Sequence, residues 1–103
     1  RKGKGGELEL AHVLTAAGFP ATRGAQYSGS PDSPDVVCKA LAGLHFEVKR
    51  CERLQLYDAI EQARRDAATW RIPVVAHRRN ESPWLAILEL EDLLLLIRGH
   101  HGT

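Results

Sequence analysis

The chain contains only two cysteines, Cys38 and Cys51, among its 103 residues. Two thiols cannot form the dense disulfide framework of a small secreted domain, and no CxxC pair indicates a zinc site. The N-terminus lacks the apolar stretch of a signal peptide, and the apolar run at residues 93–97 is far too short to cross a bilayer. These absences predict a reduced, cytoplasmic protein without a membrane segment.

The chain also has little excess charge of either sign, with a formal net charge of +1. Any affinity for nucleic acid must therefore come from a local basic face and not from overall charge. Hydrophobic residues make up 44% and charged residues 26%, which is ordinary globular composition. We expect one domain over residues 1–103, with a core thin enough that dimerisation would help stability.

Periodicity and turn residues predict eight elements in the order αβββαββα. The helices are expected at residues 5–17, 56–69 and 90–98, the last ending at Gly99. The strands are expected at residues 19–23, 35–39, 45–50, 73–77 and 84–88. Residues 24–34 are rich in glycine, serine and proline, and must form a loop. The predicted fold class is α/β, a mixed central sheet flanked by helices.

The most informative stretch is HFEVKR at residues 45–50. Side chains alternate along a strand, so Phe46 and Val48 enter the core while Glu47 and Lys49 share the opposite face. If the preceding hairpin pairs Asp35 with Lys49, Asp35 lies diagonal to Glu47 on that face. Two carboxylates can hold Mg²⁺ for phosphodiester hydrolysis, and the lysine can orient water or neutralise phosphoryl charge. The alternative is a solvated sheet face with a surface Glu–Lys pair.

Glu7 is a third candidate acid, because it aligns with Leu10, Ala11 and Leu14 on the buried stripe of helix 1. A carboxylate that faces the core needs a partner, and a metal site or its water shell would provide one. The alternative is an N-terminal carboxylate that interacts with the helix dipole. Glu9 aligns with His12 toward the polar side.

Together these segments resemble a known family, the archaeal-type Holliday junction resolvases and their phage relatives within the PD-(D/E)XK nuclease superfamily. The resemblance covers about residues 1–90, in the segments RKGKGGELEL, YSGSPDSPDV and HFEVKR, a helix with Gln62 and a closing strand pair. It implies a restriction-endonuclease-like fold and Mg²⁺-dependent cleavage of four-way DNA junctions, with Mn²⁺ as a possible substitute. It also implies a homodimer, no small-molecule cofactor, and the host cytoplasm if a phage encodes the chain.

Residue by residue, the resemblance assigns a catalytic centre. Glu7 matches the family's helix-1 acid, which binds metal directly or through water. Asp35 and Glu47 match its metal-binding acids, and Lys49 matches its catalytic lysine. The PDSPD motif leaves Asp32 as a rival to Asp35, but Asp35 opens an apolar strand, and we favour it.

The resemblance further implies residues that contact DNA. The family has a functional serine in the glycine-rich loop, which Ser28 or Ser30 would fill. The positions where family members touch the DNA backbone are Arg1, Lys2 and Lys4, and Gln62 lies where many superfamily enzymes carry a residue near the active site. Other arginines are candidate phosphate contacts, with a solvated charge as the alternative for each: Arg23, Arg50, Arg53, Arg78 and Arg79.

Two further features leave alternatives open. His45 shares the predicted face of Glu47, so it is either a residue at the edge of the site or an ordinary strand histidine; we favour the latter. The last helix is apolar on nearly all sides at residues 93–97. In so small a protein, such a helix favours a buried dimer interface.

Two other functions compete with junction resolution. One is a different PD-(D/E)XK nuclease, of restriction or repair type, although the chain has little room for elements that read bases in the major groove. The other is a catalytically silent DNA-binding module. The joint presence of Glu7, Asp35, Glu47 and Lys49 argues against a silent module.

Overall fold

A computed structural model describes residues 2–24 and 34–101. It contains three α-helices, five strands and a short 3-10 helix at Lys39–Leu41. The helices are α1 (Lys2–Ala16), α2 (Leu56–Asp66) and α3 (Leu90–His101). The strands are β1 (Thr22–Arg23), β2 (Val36–Val37), β3 (Leu44–Arg50), β4 (Ile72–Arg78) and β5 (Leu85–Ile87). The predicted order αβββαββα is confirmed.

The five strands form one mixed sheet in the order β1-β2-β3-β4-β5. The central pair, β3 and β4, is parallel, and every other neighbouring pair is antiparallel. A parallel pair needs a crossover connection, which α2 provides between β3 and β4. The predicted mixed α/β sheet is therefore confirmed. None of the described helices is long and apolar enough to cross a bilayer.

Side chains alternate between the two faces of the sheet along β3 and β4, and a helix covers each face. On one face α1 packs against the core cluster Leu10, Ala11, Val36, Phe46, Val48, Val74 and Ala76. On the other face α2 packs against Val75 through Ala59, Ile60 and Ala63. Because neighbouring strand residues point to opposite faces, Glu47 and Lys49 lie on the α2 face.

Three predicted strands are longer than those observed. β1 begins only at Thr22, because Gly18 adopts a φ of 100° after α1 and the Phe19 N–H still donates to the Leu14 carbonyl at 2.9 Å. β2 has two residues in place of five, because the chain enters the 3-10 helix at Lys39. β5 is likewise limited to Leu85–Ile87.

The helix ends also differ from the prediction, since α1 spans Lys2–Ala16 in place of residues 5–17. α2 ends at Asp66 and not at residue 69, because Ala67 is already extended with ψ of 143°. α3 does not end at Gly99 but continues to His101. A helical glycine costs only about 1 kcal/mol relative to alanine, and Gly99 does not adopt the left-handed conformation that would end the helix.

The predicted pairing of Asp35 with Lys49 is wrong. β2 pairs with β3 through Val36 and Phe46, so the register is shifted by two residues and brings Asp35 level with Glu47. A two-residue shift preserves which face each side chain occupies, because the side-chain period of a strand is two. In the observed register, Asp35 therefore lies closer to Glu47 than in the predicted register.

Gly6 lets α1 approach β3 closely. A Cβ at Gly6 would lie 2.6 Å from Arg50 Cβ and 3.3 Å from Val48 Cγ1, whereas a Cβ at Gly5 would meet nothing within 4 Å. We expect Gly6→Ala to lower the free energy of unfolding by about 1–3 kcal/mol through overpacking. Gly5→Ala, the matched control, should raise it by about 0.5–1 kcal/mol because it lowers backbone entropy in the unfolded chain. Urea unfolding measures both, and equal effects would contradict this helix–strand crossing.

Candidate active site

Glu47 and Lys49 project from the middle of β3 on the face that α2 covers. The Glu47 side chain is part of the buried interior, at 7% exposure. The imidazole of His45 lies beside it, with Nε2 at 3.7 Å from Glu47 Oε1. The sequence therefore predicted the face of Glu47 correctly but did not reveal its burial.

Asp35 is held against the backbone of β3 just before β2 begins. Its N–H donates to the Phe46 carbonyl at 3.0 Å, and its carboxylate accepts the Val48 N–H at 2.8 Å. Its carbonyl accepts from the Gly24 N–H at 2.8 Å, which links it to the end of β1. The carboxylate of Asp35 thus lies at the peptide that follows Glu47, so the structure brings these two acids to one place on the sheet.

Lys49 is positioned by a residue of α2. Its Nζ donates to Gln62 Oε1 at 2.9 Å, which directs the ammonium along the helix-covered face. Gln62, predicted to lie near the active site, is therefore in direct contact with the candidate catalytic amine. Two protons of the ammonium group are not used by this hydrogen bond, since a lysine amine carries three donors.

The Lys49–Gln62 hydrogen bond predicts a measurable role for Gln62. A hydrogen bond to a charged group contributes about 1.5–3 kcal/mol, so Gln62→Ala should lower kcat by about tenfold or more if the amine acts in catalysis. Gln55→Ala is a matched control, because Gln55 precedes α2 without a side-chain capping bond. Single-turnover cleavage of a four-way junction is the measurement. An unchanged kcat for Gln62→Ala would show that the amine does not need this partner.

Glu7 does not join the other two acids. It projects from α1, which packs on the opposite face of the sheet from Glu47 and Lys49. Its buried carboxylate accepts from Arg23 Nε at 2.9 Å. Within residues 2–24 and 34–101, no three acidic, histidine or cysteine side chains are grouped so that they could hold a metal ion. In these residues Arg23 supplies the counter-charge that burial of Glu7 requires, and the role of Glu7 as a third metal-binding acid stays a prediction.

Several candidate phosphate-binding arginines are occupied by acids. Arg50 Nε donates to Glu9 Oε1 at 2.9 Å, and Arg78 Nη1 contacts the other oxygen of the same carboxylate. Glu9 thereby fastens α1 to β3 and β4, a role that its alignment with the polar side of α1 did not indicate. Arg50 and Arg78 lie 41 and 69 residues from Glu9 along the chain, so local sequence patterns could not predict these ion pairs.

The remaining predicted DNA contacts remain predictions. Arg1, Ser28, Ser30 and the rival acid Asp32 lie outside the described residues, as do the side chains of Lys2 and Lys4. The exposed residues Arg53 and Arg79 lie beyond the ends of β3 and β4, where Arg79 Nε donates to Ser82 Oγ at 3.1 Å.

The chemistry of the Asp35–Glu47 pair fits a hard divalent cation. Both residues offer carboxylate oxygens, the ligands that Mg²⁺ and Mn²⁺ prefer over the nitrogen and sulfur ligands typical of zinc. Among the described residues, Arg23 is bound to Glu7 and Lys49 to Gln62. Neither of these cations forms an ion pair with the buried Glu47, and a divalent ion would relieve the repulsion between Glu47 and the neighbouring Asp35 carboxylate.

The chain is similar to known junction resolvases in sequence and in structure. The family described as archaeal Holliday junction resolvase (Hjc) matches residues 1–94. Hjc of the archaeal hyperthermophile Archaeoglobus fulgidus, a Holliday junction resolvase, has a similar solved structure with a TM-score of 0.56 and 26% sequence identity. That match covers 85% of this chain and 73% of the Archaeoglobus chain. No curated protein sequence matches the chain significantly. With most of its length matched by the family and a similar fold, the chain belongs to the archaeal Holliday junction resolvase family.

Proposed function

We propose that this chain is a metal-dependent endonuclease that resolves four-way DNA junctions by paired phosphodiester hydrolysis in opposing strands. Family membership supports the junction as substrate. The observation that carries the nuclease chemistry is the grouping on β3, where buried Glu47 and the Asp35 carboxylate flank one peptide and Lys49 follows on the same face. This grouping combines two metal ligands with one cationic donor, which suits attack on a phosphodiester.

In the proposed mechanism each residue has a separate task. Asp35 and Glu47 hold Mg²⁺, or Mn²⁺ in its place, and the backbone N–H of Val48 fixes the orientation of the Asp35 carboxylate. The bound cation would supply Lewis acidity and an activated water. Lys49 orients the attacking water or neutralises charge that develops on the phosphoryl oxygens. Gln62 holds the Lys49 amine in place, which limits the entropy lost at each turnover.

We further propose that two copies of the chain form a homodimer in which α3 contributes to the interface. Large apolar side chains of α3 are between 39% and 67% exposed, namely Leu90, Leu93, Leu94, Leu95, Leu96 and Ile97. A contiguous apolar surface of this kind on a small protein is typical of an interface. Two-fold symmetry would direct two active sites at opposing strands of a junction. Sedimentation equilibrium should give the mass of two chains, and a monomer would contradict the proposal.

Cleavage assays with three DNA substrates test the function. The protein is incubated with a four-way junction, a linear duplex and a single strand, each with Mg²⁺ or with EDTA. Cleavage that is confined to the junction and needs Mg²⁺ supports the proposal. Cutting of plain duplex indicates another PD-(D/E)XK nuclease, and absence of cleavage on every substrate indicates a silent DNA-binding module. In crystals soaked in Mn²⁺, we expect density within about 2.0–2.6 Å of Asp35 and Glu47 oxygens.

A further inference from the structure

His45 is an unusual residue for the interior of a sheet. Its side chain is fully buried on β3, two residues before Glu47 and on the same face. Within the part of the chain that the structure describes, neither ring nitrogen has a hydrogen-bond partner. A buried polar group without a partner costs about 1–3 kcal/mol, so its presence here calls for an explanation.

The carboxylate of Glu47 lies within reach of this imidazole. His45 Nε2 is 3.7 Å from Glu47 Oε1, slightly longer than an N–H···O hydrogen bond of about 2.7–3.2 Å. A shift of about 0.5–1 Å in either side chain would close the bond, and catalytic hydrogen bonds often tighten when a ligand binds. Among the described residues, no lysine or arginine forms an ion pair with Glu47, and the Lys49 amine donates instead to Gln62.

We propose that His45 is a positioning residue for the metal site. In this role the imidazole donates from Nε2 to Glu47 Oε1 and holds that carboxylate in the orientation that meets a divalent cation together with Asp35. This inference rests on the proposed function, in which Glu47 is a metal ligand. Hydrogen-bond partners of ligating carboxylates orient the ligand, and their loss typically weakens metal binding by about 10- to 100-fold.

A first experiment examines the contact without metal. In ¹⁵N-histidine-labelled protein, the His45 ring should carry its proton on Nε2, and its Nε2 resonance should move in the Glu47→Gln variant. His77 provides an internal reference, since its Nε2 is 2.9 Å from the Cys51 carbonyl and should not respond. A His45 ring protonated on Nδ1 alone, or one insensitive to Glu47→Gln, would overturn the proposal.

A second experiment measures Mn²⁺ affinity by calorimetry in the full chain. His45→Leu should bind Mn²⁺ about 10- to 100-fold more weakly than the wild type, and His45→Gln, which retains a donor, should recover part of the loss. In a Glu47→Gln background the His45→Leu change should have no further effect, because the partner has been removed. A purely structural role would lower affinity equally in both backgrounds. His77→Leu controls for the loss of a buried histidine and should leave Mn²⁺ affinity unchanged.

The outcomes separate this inference from the function on which it rests. If the wild type binds Mn²⁺ and cleaves junctions but His45→Leu binds Mn²⁺ equally well, only the role of His45 is overturned. If the wild type neither binds Mn²⁺ nor cleaves with Mg²⁺, the metal-dependent function and the role of His45 both fail. Thermal unfolding without metal identifies any variant that does not fold. If His45→Leu does not fold, the Mn²⁺ affinity of His45→Gln is compared with that of the wild type instead.

Discussion

Replacing Glu47 by glutamine is expected to slow Mg²⁺-dependent junction cleavage by at least about 10²-fold. A catalytic metal contributes several kcal/mol of charge stabilisation in the transition state, and each 1.36 kcal/mol changes the rate about tenfold. The amide keeps the shape of the side chain but removes the negative charge that would hold the cation. Single-turnover cleavage at several Mg²⁺ concentrations is the measurement, and the concentration needed for half-maximal rate should rise.

The fold should tolerate this change. Glu47 is buried without a paired lysine or arginine among the described residues, and it lies next to Asp35. Removing its charge relieves repulsion between two acids, so the metal-free protein should unfold at the same or a higher temperature. Glu61→Gln is the matched control, because Glu61 lies on the exposed side of α2. A Glu47→Gln variant that cleaves like the wild type would remove Glu47 from the metal site.

Replacing Lys49 by methionine is expected to lower kcat by about 10²- to 10³-fold, the usual effect of removing a preorganised group that stabilises developing charge. Methionine keeps an unbranched apolar stem and leaves out the ammonium, so packing along β3 is largely conserved. Mn²⁺ affinity should stay the same or increase, because Lys49 is not a metal ligand in the proposal. This separation of kcat from metal binding distinguishes Lys49 from Glu47.

Matched variants make the Lys49 result specific. Lys39→Met removes an exposed lysine of the 3-10 helix and should leave cleavage unchanged. Lys49→Arg keeps the charge but changes the donor geometry, so only partial activity should return. In the Lys49→Met background, Gln62→Ala should have no additional effect, since Gln62 is expected to act through the amine. If Lys49→Met lost Mn²⁺ binding and activity in parallel, the lysine would instead be a structural element of the site.

Much of the candidate site follows from local sequence. The two-residue period of β3 placed Glu47 and Lys49 on one face, and helical spacing placed Gln62 on the helix that follows. The pairing of Asp35 with Lys49 was wrong by two residues, because the short 3-10 helix at Lys39–Leu41 changes how the chain turns between β2 and β3. The full burial of His45 was also not predicted, since alternation predicts a face but not the degree of burial.

By itself, the sequence determined the order of the elements, the mixed sheet and the face on which the β3 residues lie. These properties depend on periodicity and turn residues, which act over a few neighbouring positions. Only the tertiary structure decided which acids meet which bases. Arg23 lies 16 residues beyond Glu7 and binds it, and Arg50 lies 41 residues beyond Glu9. These ion pairs form when the helices pack on the sheet, because buried charges must then be neutralised. Local sequence patterns do not predict which residues will pair in this way.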